Sequence, residues 1–142
     1  MKKMICLIII LTGMMGIVNA RAERDILVYV DRERLASDVA PQIINDRVML
    51  PFRSVFEKMG ASVQWLENEK KIVAKKDNIT IEMTIGENLM LINSEYYKSD
   101  TAPVIIGERT LVPVRICAET FGCGVKWYDK SRVVEIVSSQ QE

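Results

Sequence analysis

Arg53 and Glu57, and again Arg115 and Glu119, stand four residues apart. On a helix that spacing puts a guanidinium beside a carboxylate. Such a pair can offer charge to a ligand. Its presence twice favours a structural role instead, with the groups partly buried and hydrogen-bonded. Trp65 and Trp127 each follow a valine by two residues and precede an acidic residue, Glu67 or Asp129, by two. An indole can serve as a platform for a sugar ring, but at matching strand ends the favoured role is anchoring a sheet. Tyr96 and Tyr97 are adjacent, so on a strand one should face the core and the other water. The exposed one, together with Tyr128, forms a candidate contact surface.

Cysteines add one more candidate. Cys117 and Cys123 follow an expected leader segment, an even number in a chain expected to be exported. If Gly122 caps a helix in the left-handed conformation, the cap brings these two positions together. A disulfide and a pair of small buried thiols remain alternatives.

The chemistry open to the chain is narrow. Histidine is absent, which removes the commonest metal ligand and the commonest general base together. A type-2 copper site, a zinc hydrolase and a Ser-His-Asp nucleophile are thereby excluded. Neither a calcium-loop motif nor a glycine-rich phosphate loop occurs. No catalytic residue, metal site or cofactor is expected, and an enzyme would have to rest on carboxylates alone.

These residues sit in a sequence that aligns with itself. Residues 26–76 slide onto 88–138 at an offset of 62 without a gap, and 15 of 51 positions are identical. Unrelated segments give far fewer identities, so two internal repeats are read, 26–87 and 88–138. Identical positions are expected to be what the unit needs to fold, and differing ones to be where a site could lie.

Each unit reads alike. A strand at 26–30 leads to a charged turn at 31–34 and a short strand near Ile43-Ile44. A helix follows from Pro51 to about Met59. Phe52, Val55, Phe56 and Met59 give it one apolar face, matched by Val114, Cys117, Ala118 and Phe121. Pro51 and Pro113 suit the first turn, and Gly60 and Gly122 suit the C-terminal cap. Strands are expected at 62–66, 71–76, 124–128 and 132–137, and an alternating one at 79–85. The fold class is α+β, an antiparallel β-meander packed with two helices. The two units should share one core, since about 60 residues bury little surface alone.

The chain opens with Lys2-Lys3, an apolar run from Met4 to Val18, and Asn19-Ala20-Arg21-Ala22. That is the pattern of a secretory signal peptide, with cleavage after Ala22 or, alternatively, Ala20. The apolar run is shorter than the roughly 20 residues a spanning helix needs. Residues 1–22 are therefore read as a leader, 23–142 as one domain, and the location as secreted or cell surface. Loss of Lys2, Lys3 and Arg21 lowers Lys+Arg from 19 to 16 against 19 Asp+Glu, a net charge of −3. No basic footprint for nucleic acid remains, and no membrane association is expected after cleavage.

Two stretches carry a family resemblance: Asn45-Asp-Arg-Val-Met-Leu-Pro-Phe-Arg through Gly-Ala-Ser-Val-Gln-Trp65, and Gly107-Glu-Arg-Thr-Leu-Val-Pro-Val-Arg through Gly-Cys-Gly-Val-Lys-Trp127. They resemble the amino-terminal (stalk) domain family of copper amine oxidases, over essentially the whole region after the leader. The resemblance implies a meander packed with helices, found in exported proteins of Gram-positive bacteria. It also implies a non-catalytic accessory role, because copper and the quinone cofactor belong to a separate domain of those enzymes. Asp31-Arg-Glu departs from the Val-Asn-Gly usual there. The expected function is a secreted or wall-associated module that binds a protein or cell-wall glycan partner, or acts as a spacer. The alternative is an inhibitor or regulator of a secreted enzyme.

Overall fold

A computed structural model describes residues 24–139. The expected leader, with both candidate cleavage positions, lies outside the described residues. The chain runs β1 (Leu27–Val30), β2 (Glu33–Arg34), β3 (Gln42–Ile44), β4 (Arg47–Pro51), α1 (Phe52–Lys58), β5 (Ser62–Leu66), β6 (Lys71–Lys76) and β7 (Ile79–Thr84). It continues with β8 (Leu89–Ile92), β9 (Glu95–Lys98), β10 (Val104–Ile106), β11 (Arg109–Pro113), α2 (Val114–Thr120), β12 (Gly124–Tyr128) and β13 (Val133–Val137).

Tight turns set most of the neighbours. Asp31-Arg32, Asn45-Asp46, Asn93-Ser94 and Gly107-Glu108 all adopt positive φ at two successive residues. Their twist matches that of paired strands, and Asn, Asp and Gly tolerate it best. The charged turn expected at 31–34 is narrower than that, because Glu33-Arg34 already pair back onto β1. Asp31 also ties down the far end of the chain: its carboxylate accepts the Ser138 backbone N–H and hydroxyl, both at 2.8 Å.

The helices end as their sequence demands. Gly60 N–H donates to Glu57 O and Ala61 N–H to Phe56 O, and Gly122 and Cys123 repeat both bonds on Glu119 and Ala118. Both glycines hold φ near +80°, at +84° and +81°, the left-handed residue of a Schellman cap. Their starts differ from expectation. Pro51 and Pro113 are extended and close strands β4 and β11, so each helix begins one residue later.

The expected single meander is instead three sheets, ordered β12-β13-β1-β2, β10-β11-β4-β3 and β5-β6-β7-β8-β9. Pairing is antiparallel except for β1 with β13, which run parallel. These strands come from opposite ends of the chain, so no short loop constrains their direction. Each sheet draws on both aligned segments. In the central one, β4 and β11 lie side by side with Leu50 directly opposite its counterpart Val112. α1 packs on β4, β5 and β11, and α2 on β4, β11 and β12. One core results, drawing on both segments, with Phe56 against Phe121 edge to face at 5.6 Å.

Candidate functional site

β4 and β11 carry the site residues by reciprocity. Because they pair antiparallel about Leu50 and Val112, each strand's first residue, Arg47 or Arg109, reaches the loop before the other segment's β-hairpin. Arg47 meets Asp100 at 2.5 Å, and Arg109 meets Asp38 at 2.5 Å. The aligned counterparts thus form two crossed ion pairs, each joining one segment to the other. Asp38's carboxyl is held below the usual carboxylate range, chiefly by the hydrogen bond from Arg109.

Beside each crossed pair lies an open groove. The first has a volume of about 720 Å³ and the second about 730 Å³. Their walls correspond position by position. Arg47, Asp100, Arg115, Glu119, Trp127 and Asp129 line the first, where Arg109, Asp38, Arg53, Glu57, Trp65 and Glu67 line the second. Each wall includes the start of one helix, the end of the strand after it, and the β-hairpin turn of the opposite segment. Neither groove exists within one segment alone.

The structure brings the shared Arg, Glu and Trp residues together, though not as a buried network. Arg53 and Glu57 are each 54 % exposed and 3.3 Å apart, and Arg115 and Glu119 are equally open at 3.5 Å. The expectation of partial burial is therefore corrected: both pairs sit on the solvent side of their helices, opposite the apolar face. Arg115 also donates to the Val125 carbonyl at 3.1 Å. Exposed pairs of this kind contribute well under ~1 kcal/mol.

Both tryptophans are half-buried, packed against the core on one side and facing a groove on the other. Trp65 Nε1 donates to Glu67 at 2.5 Å. Glu67 also binds Lys70, and these two bonds, Lys70 first, lower its pKa. Trp127 makes no such bond among the described residues. The Arg132 guanidinium lies 6.0 Å from its ring centre instead.

The remaining candidates lie elsewhere. Tyr96 and Tyr97 are both exposed, at 73 % and 44 %. The expected one-in, one-out arrangement fails because β9 is an edge strand whose inward row reaches past the core. Tyr97 donates to Glu95, and Tyr128, also exposed, donates to Glu135 at 2.9 Å; each carboxylate pushes its phenol's pKa up. Neither tyrosine pair lines a groove.

Cys117 and Cys123 are buried and are not bonded to each other. The Cys117 thiol lies 3.7 Å from the Met83 sulfur, and burial pushes its pKa up to about 12. Such a thiol is inert at neutral pH. Among the described residues no cluster of three or more metal-ligating side chains occurs, and no helix is long and apolar enough to cross a membrane.

Sequence reasoning placed the shared residues in the body of the fold. The structure places them mostly at its surface. Of the aligned positions buried in both segments, only Pro51 and Pro113 are identical. Leu50/Val112, Val55/Cys117, Phe56/Ala118, Met59/Phe121 and Ile72/Val134 all differ. Asp38, Asp100, Arg47 and Arg109 also line the grooves, and their only sequence signal is that they are identical between the aligned segments.

The copper amine oxidase N-terminal domain family matches residues 29–136, from within β1 to within β13. No curated protein matches the chain.

Proposed function

Since the chain belongs to the copper amine oxidase N-terminal domain family, we propose that it is a non-catalytic binding module, exported and held at the cell surface. One observation supports this most directly. Eight of the 15 identical pairs line two corresponding open grooves, while nearly all the residues that fill the core differ. A core tolerates changed side chains as long as its total volume and pattern are kept. A shared surface serves contact.

The groove chemistry favours binding over catalysis. The carboxylates of Asp38 and Glu67 are held below the usual range by their hydrogen-bond partners, so neither of these two is set up as a general acid. The cationic side chains of Arg47, Arg53, Arg109 and Arg115 are engaged in ion pairs. In this reading 26–87 and 88–138 are duplicated units, and their exchange of strands fixes the grooves across the join. The partner is a cell-envelope component, protein or glycan.

Two measurements test the proposal. The mature protein, recovered from the producing cells, should begin at Glu23, or at Arg21 for the alternative cleavage, by intact mass. Purified protein mixed with isolated cell envelope should sediment with it. Protein that stays in the supernatant would remove the binding role.

A further inference from the structure

We infer that the two grooves are paired subsites for a neutral glycan chain, an inference that rests on the binding-module reading above. Three features of the walls point to this ligand class.

The first is the state of the tryptophans. Each indole is held by the core on one side and borders its groove on the other, where a sugar at Trp127 would take the place of the Arg132 guanidinium that lies 6.0 Å over the ring. A fixed, half-exposed ring can stack on the C–H face of a pyranose with little loss of conformational entropy. The second is charge. The first groove is lined by four cationic and four anionic side chains, and the second by three and four. With charge so nearly balanced, a polyanionic or polycationic ligand meets little net attraction. A polyol is better suited, because it can both donate to carboxylates and accept from guanidinium groups. The third is size: both grooves fall in the range of small-molecule clefts, about 300–1,000 Å³.

The duplication adds a functional consequence. Two corresponding grooves on one rigid body can engage two points of one chain, or two chains. Avidity then exceeds the strength of either groove alone. The strongest other surface, the exposed Leu89, Tyr96 and Tyr97 region of β8 and β9, occurs in one segment only and has no such pairing.

The chain provides its own probe, since it contains 2 tryptophans and each lies in a different groove. Tryptophan emission therefore reports the grooves and little else. Trp65→Phe leaves only the first groove visible, and Trp127→Phe only the second, with an aromatic ring kept against the core in each. Probes are soluble β-1,4-linked oligomers of N-acetylglucosamine and of glucose, both of them neutral. At least one should change the emission saturably in the wild type and in both single-tryptophan variants. Short oligomers should bind at two per chain, and added salt should leave the affinity unchanged. Replacing both tryptophans with alanine removes the emission probe, so binding is read by titration calorimetry; it should weaken by more than about tenfold, with circular dichroism confirming the fold.

Failure here is separable from failure of the binding-module reading. Protein that sediments with envelope but shows no emission change with any probe keeps the module and loses the glycan grooves. Unchanged affinity in a folded double-alanine variant has the same effect. Strong weakening by salt overturns the neutral-ligand assignment. Absence from the envelope pellet removes the earlier reading itself.

Discussion

Segments 26–87 and 88–138 build matching surfaces over unlike cores. α1 and its C-cap bury Phe52, Val55, Phe56 and Met59; α2 and its C-cap bury Val114, Cys117, Ala118 and Phe121 at the same offsets. Volume is exchanged across the join: Phe56 meets Phe121 edge to face, where their aligned counterparts are Ala118 and Met59. Grooves, crossed ion pairs and helix caps stay the same on both sides. A packed interior tolerates changes of side chain when total volume and pattern are kept. A surface that must meet the same partner has no such latitude.

Removing the asymmetry of the core should have the largest effect. Phe56→Ala deletes a ring with 0 % exposure and should cost about 3–5 kcal/mol in denaturant unfolding. The mirror change, Ala118→Phe, should also destabilise, by about 1–3 kcal/mol, through overpacking. If either helix accepted its counterpart's residue without loss, the exchange of volume between the two would be disproved.

The cysteine positions give a sharper contrast. Cys117→Val introduces the residue found at Val55 and should be nearly neutral. Cys117→Ser buries a hydroxyl against Met83 and the apolar core, at a cost of about 1–3 kcal/mol. Native protein should resist alkylation at Cys117 near neutral pH and react after unfolding, read by mass spectrometry.

Where the segments agree in backbone, they should agree in response. Gly60→Ala and Gly122→Ala each force a Cβ into the left-handed region, at about 1–2 kcal/mol. The two losses should match within error and add in the double variant. Unequal values would show that the caps carry different loads.

The smallest effects belong to the crossed ion pairs. Arg47→Ala and Arg109→Ala should each cost less than about 1 kcal/mol, and less again in high salt. Asp38 is depressed in the folded chain, so its contribution is complete above the ordinary carboxylate range. It disappears as pH falls through the lowered value. Stability should therefore decline on acidification, and Arg109→Ala should flatten that decline.

The helix faces, the turn positions, both Schellman caps and the alternating strand at 79–84 were legible from local pattern. Each depends on residues within a few positions of one another, where periodicity and conformational preference decide. The tyrosines were misjudged because alternation on a strand tells nothing about whether a core lies beneath it. Arg53, Glu57, Arg115 and Glu119 recur in both segments yet stay exposed, because recurrence marks a surface as readily as a core.

Composition alone removed histidine chemistry, and the self-alignment alone marked the residues that now line the grooves. Only the tertiary structure decided that β1 pairs with β13 and β4 with β11, and so that each groove is walled by both segments. Those pairings join residues far apart in the chain, and nothing local distinguishes them from other strand partners of similar pattern. They are selected by the burial of one shared core, which exists only once the whole chain has closed.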